Sequence, residues 1–206
     1  MYNQYDEKYS GIEYYWGKTP SKSCYKVLET YPPVKTVRLL DIGCGEGRNS
    51  VFFARNGYIV TAFDLSDKGV EKTKRIAEET GVKIDVFKAD IINYRLSEKF
   101  DILFSTGSLH YIPAELREEI FQNYKEHTSD NGLNVFSVFV KKPFISKAPD
   151  GETTSQKWIS GELMTYYHDW KIEFSTEDIF DCMSGGIPHK HAVNRIIARK
   201  KWEDLT

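Results

Sequence analysis

The fold of the chain is decided by one stretch, Leu40-Asp41-Ile42-Gly43-Cys44-Gly45-Glu46-Gly47-Arg48-Asn49. The apolar run that leads into it, residues 36–42, is typical of a buried strand in a parallel sheet. Glycines then occupy every second position, which lets the backbone turn sharply and approach a ligand closely. Residues 49–56 have the pattern of a helix that ends at Gly57. The stretch predicts a strand–turn–helix unit, whose turn lies at the carboxyl edge of the sheet, where open α/β folds bind ligands.

The same alternation of strand and helix continues along the chain. A polar and aromatic segment, residues 1–30, comes first and carries a helix at 21–30. The other predicted elements are strands at 59–64, 83–88, 101–105, 133–140, 170–175 and 193–199, helices at 68–80, 114–127 and 161–167, and a polar loop at 141–160. Because a right-handed crossover needs a helix between parallel strands, the alternation predicts an α/β fold with a parallel sheet. The last two strands can close this sheet as an antiparallel pair.

Length and composition are those of a single globular domain. The chain has 206 residues, with 28 Lys plus Arg against 30 Asp plus Glu, and this near balance argues against a broad basic face for nucleic acid. No apolar stretch approaches the ~20 residues that span a bilayer, and the first residues lack the pattern of a secretory signal. The three cysteines, Cys24, Cys44 and Cys182, match no disulfide or zinc-knuckle spacing. We therefore predict a cytoplasmic protein without nucleic-acid or membrane partners, and a homodimer is left open.

The glycine turn favours one cofactor class over another. Its spacing is Gly-x-Gly-x-Gly, whereas the dinucleotide fingerprint is Gly-x-Gly-x-x-Gly. Asp41 stands two residues before Gly43, where a carboxylate would repel a pyrophosphate. S-adenosylmethionine has no phosphate and carries an ammonium and a sulfonium, both of which a carboxylate attracts. The turn therefore indicates S-adenosylmethionine rather than NAD.

Polar residues also follow the next three strands. Asp64 ends the second strand, 21 residues after the first glycine, where an acid accepts hydrogen bonds from ribose hydroxyls. The alternative role for Asp64 is a helix cap, which Ser66 or Asp67 would serve better. Asp90 follows the third strand and can accept from the adenine amino group, with Ile91 packed on the ring; its alternative role is to cap a turn. Residues 105–111, after the fourth strand, are small and polar and can line the cofactor and face a substrate.

These successive motifs resemble those of class I S-adenosylmethionine-dependent methyltransferases. The resemblance covers residues 36–140 and rests on Leu40–Gly47, Phe63-Asp64-Leu65-Ser66, Ala89-Asp90-Ile91 and Phe100-Asp101-Ile102-Leu103.

A narrower resemblance, to the tellurite-resistance methyltransferase group, covers almost the whole chain. It rests on Tyr15-Trp16-Gly17 with Pro20, Gly47-Arg48-Asn49-Ser50, Gly161-Glu162-Leu163 with Tyr166, Tyr167 and Trp170, and Ile197-Ala198-Arg199-Lys200. It implies a Rossmann-like, seven-stranded, mostly parallel sheet with an antiparallel last strand and helices on both faces. It also implies a Tyr-Trp-Gly loop that closes over the methionine end of the cofactor, and methylation of small oxyanions or chalcogen compounds. The chain departs from the group's pattern before the last strand, where Ser184–His191 replaces an arginine-rich stretch.

Motifs and resemblance together predict a single methyltransferase domain in three parts. Residues 1–35 form the segment that closes the cofactor site, residues 36–140 form the cofactor-binding core, and residues 141–206 form the substrate-side loop and last strands. The cofactor is S-adenosylmethionine and the product S-adenosylhomocysteine. The predicted cofactor contacts are Tyr15, Trp16, Asp41, Gly43, Cys44, Gly45, Arg48, Asn49, Asp64, Leu65, Asp90, Ile91, Thr106 and Gly107.

Three histidines are the candidates for the acceptor side. His110 follows the fourth strand beside the expected transfer point, and His189 and His191 stand in a Gly-Pro loop that can fold over the site. We assign them to acceptor binding or to general-base catalysis. For His110, an equally good interpretation is that it is a polar residue packed after the fourth strand, without a role in the reaction. Two histidines without an acidic neighbour are few ligands for a metal, so no metal is predicted.

The predicted function is methyl transfer to a small molecule, either an oxyanion of the tellurite or selenite type or a thiol-like acceptor. An S-adenosylmethionine sensor without catalysis has the same cofactor motifs and remains an alternative. A less favoured alternative is an NAD-dependent oxidoreductase, against which the glycine spacing and Asp41 argue.

Overall fold

A mixed sheet of seven strands organises the chain in the computed structural model, which describes residues 4–146, 158–183 and 187–201. The strands are β1 (Arg38–Ile42), β2 (Ile59–Asp64), β3 (Ile84–Lys88), β4 (Phe100–Thr106), β5 (Thr128–Val140), β6 (Lys171–Cys182) and β7 (His189–Arg199). Their order is β3-β2-β1-β4-β5-β7-β6, and β7 runs antiparallel to both of its neighbours. The predicted Rossmann-like class is confirmed, including the antiparallel last strand.

Helices cover both faces of this sheet. They are α1 (Gln4–Lys8), α2 (Lys22–Thr30), α3 (Arg48–Arg55), α4 (Asp67–Thr80), α5 (Ala114–Glu126) and α6 (Glu162–Thr165), with a 3₁₀ turn at Leu109–Tyr111. Successive strand residues point to opposite faces, so Leu39 and Leu40 of β1 enter two separate apolar clusters. One cluster includes Phe121 of α5, and the other includes Phe53 of α3. None of the helices in these described ranges is long and apolar enough to cross a bilayer.

The strand order reverses between β1 and β4, and this reversal places the site. The chain runs outward from β1 to β2 and β3, then returns to β4 on the other side of β1. The helices that follow β1 and β4 therefore diverge and leave a crevice at the carboxyl edge. The turn that carries Gly43, Gly45 and Gly47 opens at this crevice, directly after β1.

Two predicted loops are wrong in part. β7 begins at His189 instead of Val193, because the antiparallel ladder with β6 continues as far as the Cys182–His189 pair. His189 and His191 are therefore strand residues and not members of a flexible loop. Of the loop predicted at 141–160, only 141–146 and 158–160 lie within the described residues, and Trp158 there is fully buried and pairs with Val140.

Gly43 should resist substitution more than a glycine in open space. Its φ is +69°, and a Cβ there would lie 2.4 Å from Ser108 Oγ. That hydroxyl is held by Ser105 Oγ at 2.7 Å, so it cannot move without losing a hydrogen bond. We expect Gly43→Ala to lower the free energy of unfolding by about 2–4 kcal/mol, from backbone strain and steric overlap combined.

Gly81→Ala is the matched control, because Gly81 has a φ of +68° and a Cβ added there would meet no atom within 4 Å. It should cost only about 1–2 kcal/mol, the backbone part of the penalty. Urea denaturation of both variants measures the difference. Equal costs would mean that the contact with Ser108 does not constrain the turn.

Candidate active site

The glycine turn is tied to the end of β2 by Asp64. The backbone N–H of Gly45 donates to Asp64 Oδ2 and that of Ser66 donates to Asp64 Oδ1, both at 2.8 Å. The N–H groups of Gly43 and Cys44 both donate to the Phe63 carbonyl, at 2.9 and 3.0 Å. Burial raises the pKa of Asp64, although these hydrogen bonds counteract the effect. A carboxylate has about four acceptor positions, so Asp64 retains capacity for a ligand hydroxyl.

Asp64 does not cap α4. That role belongs to Ser66, whose Oγ accepts from the Gly69 N–H at 3.0 Å, as the sequence indicated. Cys44 is buried within the turn, and burial raises its thiol pKa well above the usual value, which suits a packing residue and not a nucleophile. Leu65 is 45% exposed beside Asp64, where a ligand could cover it.

Asp41 is a buried acid that forms no ion pair with any described residue, and the charge of Arg48 only partly counteracts the effect of its burial. Its Oδ2 accepts from Ser50 Oγ at 2.6 Å, and its Oδ1 has no hydrogen-bond partner among the described residues. Burial raises the pKa of Asp41 to about 7, and the negative charge of Asp64 adds to the effect. An unpartnered buried carboxylate oxygen is energetically costly. A ligand that brought an N–H donor or a positive charge would offset that cost.

The end of β4 lies against the end of β1. The hydroxyl oxygens of Ser105 and Ser108 each lie 2.9 Å from the Ile42 carbonyl oxygen and 2.7 Å from each other, so at least one hydroxyl donates to that carbonyl and joins the two strand ends. Gly107 follows with a φ of +83°, and a side chain added there would meet open space. Thr106 Oγ1 accepts from Asn49 Nδ2 at 3.1 Å. The strand end therefore presents small groups to the crevice.

Asn49 and Asp90, two predicted cofactor contacts, already have partners within the protein. Asn49 Oδ1 accepts from the Ser21 N–H at 2.9 Å, so this amide connects the start of α2 to β4. Asp90 Oδ1 accepts from the Ile92 N–H at 2.9 Å, which is the turn-capping role considered from the sequence. Ile91 is partly buried against the core cluster at this end of the sheet.

The N-terminal segment is held onto the glycine turn by Glu46. This carboxylate is almost fully buried and accepts from the backbone N–H groups of Tyr15 and Trp16, at 3.1 and 3.2 Å. Lys72 Nζ lies 2.8 Å from Glu46 Oε1 and is buried with it. Arg48 Nη1 donates to the Trp16 carbonyl at 2.9 Å. The predicted Tyr15, Trp16 and Arg48 therefore meet at the glycine turn.

Helix α1 extends this cover across the carboxyl edge. The Tyr5 and Tyr111 hydroxyls are 2.7 Å apart, which brings α1 to the residues after β4. At its other side, Asp6 Oδ1 accepts from Ser66 Oγ at 2.6 Å. Tyr9 is buried between the ends, and its hydroxyl accepts from Trp16 Nε1 at 3.0 Å. Residues 5–16 thus cover the glycine turn from β2 to β4.

Two of the three histidines, His110 and His191, contact the ring of Phe139 in β5, and His189 contacts His191. His110 is fully buried, with ring centroids 4.2 Å from Tyr111 and 4.7 Å from Phe139. His191 stacks on Phe139 at 4.7 Å, and His189 Nε2 is 2.9 Å from His191 Nε2. Burial, with a smaller effect of His191, lowers the pKa of His110 to about 3, so its imidazole is neutral at pH 7. A buried neutral imidazole is better suited to bind an acceptor than to take up a proton.

Sequence patterns missed Glu46, Lys72 and Tyr9, although all three organise the site. Glu46 stands inside the glycine turn and Lys72 on α4, and 26 residues separate them. Lys72 lies on the buried face of its helix, and the sequence pattern alone does not distinguish such a lysine from an exposed one. A local signal existed only for Glu46, whose position between two glycines places it at the site.

A comparison with known families decides the relationship. The model of the family described as Tellurite resistance protein TehB matches residues 3–191. The chain belongs to the TehB family. The resemblance inferred from its motifs is therefore confirmed.

Relatives and solved structures agree with this membership. The Haemophilus influenzae protein named Probable S-adenosyl-L-methionine-dependent methyltransferase TehB is 27% identical over 178 residues, which cover 85% of this TehB-family chain and 61% of that protein. The chain thus spans about three fifths of that relative's length. A ubiquinone biosynthesis O-methyltransferase of Rickettsia canadensis is 26% identical over 183 residues, covering 86% and 75% of the two chains.

Two crystal structures show the same fold. TehB from Haemophilus influenzae superposes with a TM-score of 0.77 at 24% identity, over 96% of this chain and 66% of that one. The magnesium protoporphyrin IX methyltransferase of Synechocystis PCC 6803, solved with bound S-adenosylhomocysteine, gives a TM-score of 0.66 at 15% identity, over 87% and 83%. At these identities the likeness concerns the fold alone.

The Glu46–Lys72 pair should be essential to the stability of this TehB-family chain. Their side chains are only 2% and 7% exposed, so removal of one charge leaves the other buried without compensation. We expect Glu46→Gln to lower the free energy of unfolding by about 3 kcal/mol or more, measured by urea denaturation. The control is Glu79→Gln, because the Glu79–Lys18 pair is exposed and should contribute less than about 1 kcal/mol. Similar costs for the two variants would contradict a structural role for the buried pair.

Proposed function

We propose that the chain transfers a methyl group from S-adenosylmethionine to a small acceptor. The observation that carries the proposal is Asp41, a fully buried acid at the glycine turn with one oxygen that lacks a hydrogen-bond donor among the described residues. A cofactor with a cationic amino-acid end would compensate this carboxylate, and a pyrophosphate would not. The names of the relatives, including methyltransferases for different substrates, support the same activity.

The residues at the carboxyl edge fit the parts of this cofactor in order along the sheet. Asp64 would accept from the ribose hydroxyls, and Asp90 with Ile91 would border the adenine. Asp41 would favour the ammonium group through its charge, while Gly107 leaves room for the chain that bears the sulfur. The other predicted contacts of the turn and its cover are Gly43, Cys44, Gly45, Arg48, Asn49, Leu65 and Thr106.

The N-terminal segment would exclude water from the transfer point. When bound, S-adenosylmethionine supplies a methyl group on a positively charged sulfur, and loss of that methyl leaves the neutral thioether of S-adenosylhomocysteine. Such a displacement depends on alignment and desolvation more than on a reactive side chain. Tyr15 and Trp16 are held by Glu46 beside the turn, and they are each more than a third exposed, so they have surface left to contact a ligand.

The acceptor would bind near His110 and Phe139. An anionic acceptor needs no general base, because it attacks without first losing a proton. The neutral, buried His110 fits this case, since it can orient an acceptor by a hydrogen bond and adds no competing charge. A tellurite- or selenite-type oxyanion or a thiolate matches this requirement, and the name of the family supports the oxyanion.

Binding and turnover measurements test the proposal together. Calorimetry should show that the chain binds S-adenosylmethionine and not NAD, and S-adenosylhomocysteine should form when tellurite, selenite or small thiols are added. Binding of NAD alone would overturn the proposal, whereas binding of S-adenosylmethionine without turnover on any acceptor would favour a sensor.

Asp64→Ala should weaken S-adenosylmethionine binding by about 1–3 kcal/mol, since ribose hydrogen bonds are lost. Asp67→Ala is the control, because Asp67 is a nearby exposed acid paired with Lys88. Circular dichroism of each variant checks that the fold is intact. Unchanged affinity in a folded Asp64→Ala protein would show that Asp64 does not contact the ribose.

Cofactor affinity should depend on pH through Asp41. Its pKa is about 7 in the ligand-free protein, and a bound ammonium would lower it, so binding below that pH releases a proton. The affinity for S-adenosylhomocysteine should therefore rise by up to about tenfold per pH unit as pH increases toward 7, and level off above it. In Asp41→Asn this rise should disappear. A pH profile that is the same in both proteins would exclude Asp41 as the source.

A further inference from the structure

A sulfur and two imidazoles meet on one face of the β6–β7 hairpin. Cys182 lies directly opposite His189 in the antiparallel ladder, and His191 follows two residues later on the same face. One ligand-type atom from each residue, the Cys182 Sγ and an imidazole nitrogen of each histidine, lies within 4.8 Å of the other two. All three side chains are half-buried. The pairing of β6 with β7 therefore adds Cys182, as a third potential ligand, to the two histidines that were considered from the sequence.

The hydrogen bond of His189 determines which ring nitrogen can bind a metal. His189 Nδ1 is 2.7 Å from the Ile187 carbonyl, which can only accept, so Nδ1 carries the proton. In the neutral ring, Nε2 then holds the lone pair, and Nε2 is the atom that points to His191. A ligating histidine in proteins commonly donates its other N–H to a backbone carbonyl in this way.

The ring of His191 is also fixed before any ion binds. It stacks on Phe139 with an interplanar angle of 20°, and Phe180 borders it with centroids 5.7 Å apart. The two Nε2 atoms are 2.9 Å apart, whereas two imidazole nitrogens on a tetrahedral zinc ion are about 3.3 Å apart, given Zn–N bonds near 2.0–2.1 Å. A shift of a few tenths of an ångström would therefore bring the two nitrogens to the separation that they have on a zinc ion.

We propose that Cys182, His189 and His191 form a binding site for a zinc-type divalent ion. One thiolate and two imidazoles match the ligand preference of Zn²⁺, and three protein ligands leave its fourth tetrahedral position open to water or an anion. On binding, the Cys182 thiol releases its proton to solvent and the sulfur bonds to the ion. His191 binds through Nε2 with its remaining proton on Nδ1, and the hydrogen bond between the two histidines is replaced.

None of the three ligands belongs to the predicted cofactor contacts, although His189 and His191 are two of the histidines that the sequence assigned to the acceptor side. The site lies close to the acceptor region, since His191 and His110 both contact Phe139. Lys190, between the two histidines, points to the opposite face and pairs with Asp181 at 2.6 Å. Its charge is therefore turned away from the ligand face.

Cobalt titration of the untagged chain, stripped with a chelator and kept reduced, tests the site. Co²⁺ should bind at one ion per chain, give a near-ultraviolet sulfur-to-metal charge-transfer band, and be displaced by Zn²⁺. Zn²⁺ addition in weak buffer should release protons from the chain. A cobalt spectrum without the sulfur band would overturn the assignment of Cys182, and absence of stoichiometric binding would overturn the site.

Variants separate this site from adventitious binding. Cys182→Ser should remove the sulfur band and weaken Zn²⁺ binding at least tenfold, and His189→Gln should weaken binding similarly while it retains a cobalt–sulfur band at high cobalt concentration. His168→Gln, at an exposed histidine outside the hairpin, is the matched control and should bind as the unmodified chain does. Thermal melts without metal check that each variant is folded. Wild-type affinity in folded Cys182→Ser and His189→Gln would reject the proposal.

Discussion

The hydrogen bond from the Gly45 N–H to the Asp64 carboxylate joins the turn after β1 to the end of β2, and the rest of the site depends on it. Gly45 takes a φ of +57°, a conformation that L side chains rarely adopt, so the turn can form around the carboxylate. This path carries Glu46 inward to Lys72, where it also accepts from Tyr15 and Trp16. The glycine turn therefore lines the crevice and also holds the N-terminal segment that covers it.

The acids at the carboxyl edge of the sheet lower the stability of the ligand-free protein. Glu46 is compensated by Lys72, but Asp41 is buried near the half-buried Asp64, and the charge of Asp64 makes Asp41 harder to ionise. For an acid with a raised pKa, the stability of the fold decreases as pH rises from the unfolded value toward about 7. If these positions served only to pack the core, apolar residues would stabilise the fold better than acids. Concentrated, poorly compensated negative charge in a crevice is instead typical of a site for a cationic ligand.

The sequence predicted the positions of residues at the carboxyl edge of the sheet better than those in the β6–β7 hairpin, for a physical reason. Gly43, Asp64 and Asp90 each follow a strand that the local apolar pattern reveals, and parallel strand ends gather at one edge without further information. The pairing of Cys182 with His189 depends on the register of an antiparallel ladder, which local patterns do not encode. The burial of Lys72 depends likewise on a partner 26 residues away.

The position of β6 in the sheet suggests how members of one fold can differ in their acceptors. β6 is one of the two edge strands and its residues are half-buried or exposed, so they can change with little effect on the two core clusters. A thiol and two imidazoles on one face of its hairpin with β7 contribute less to packing than the β-branched and aromatic residues that strands favour. Folding therefore does not account for their convergence. The ring of Phe139 connects this face to His110, because both His191 and His110 contact it, and none of these contacts involves the glycine turn.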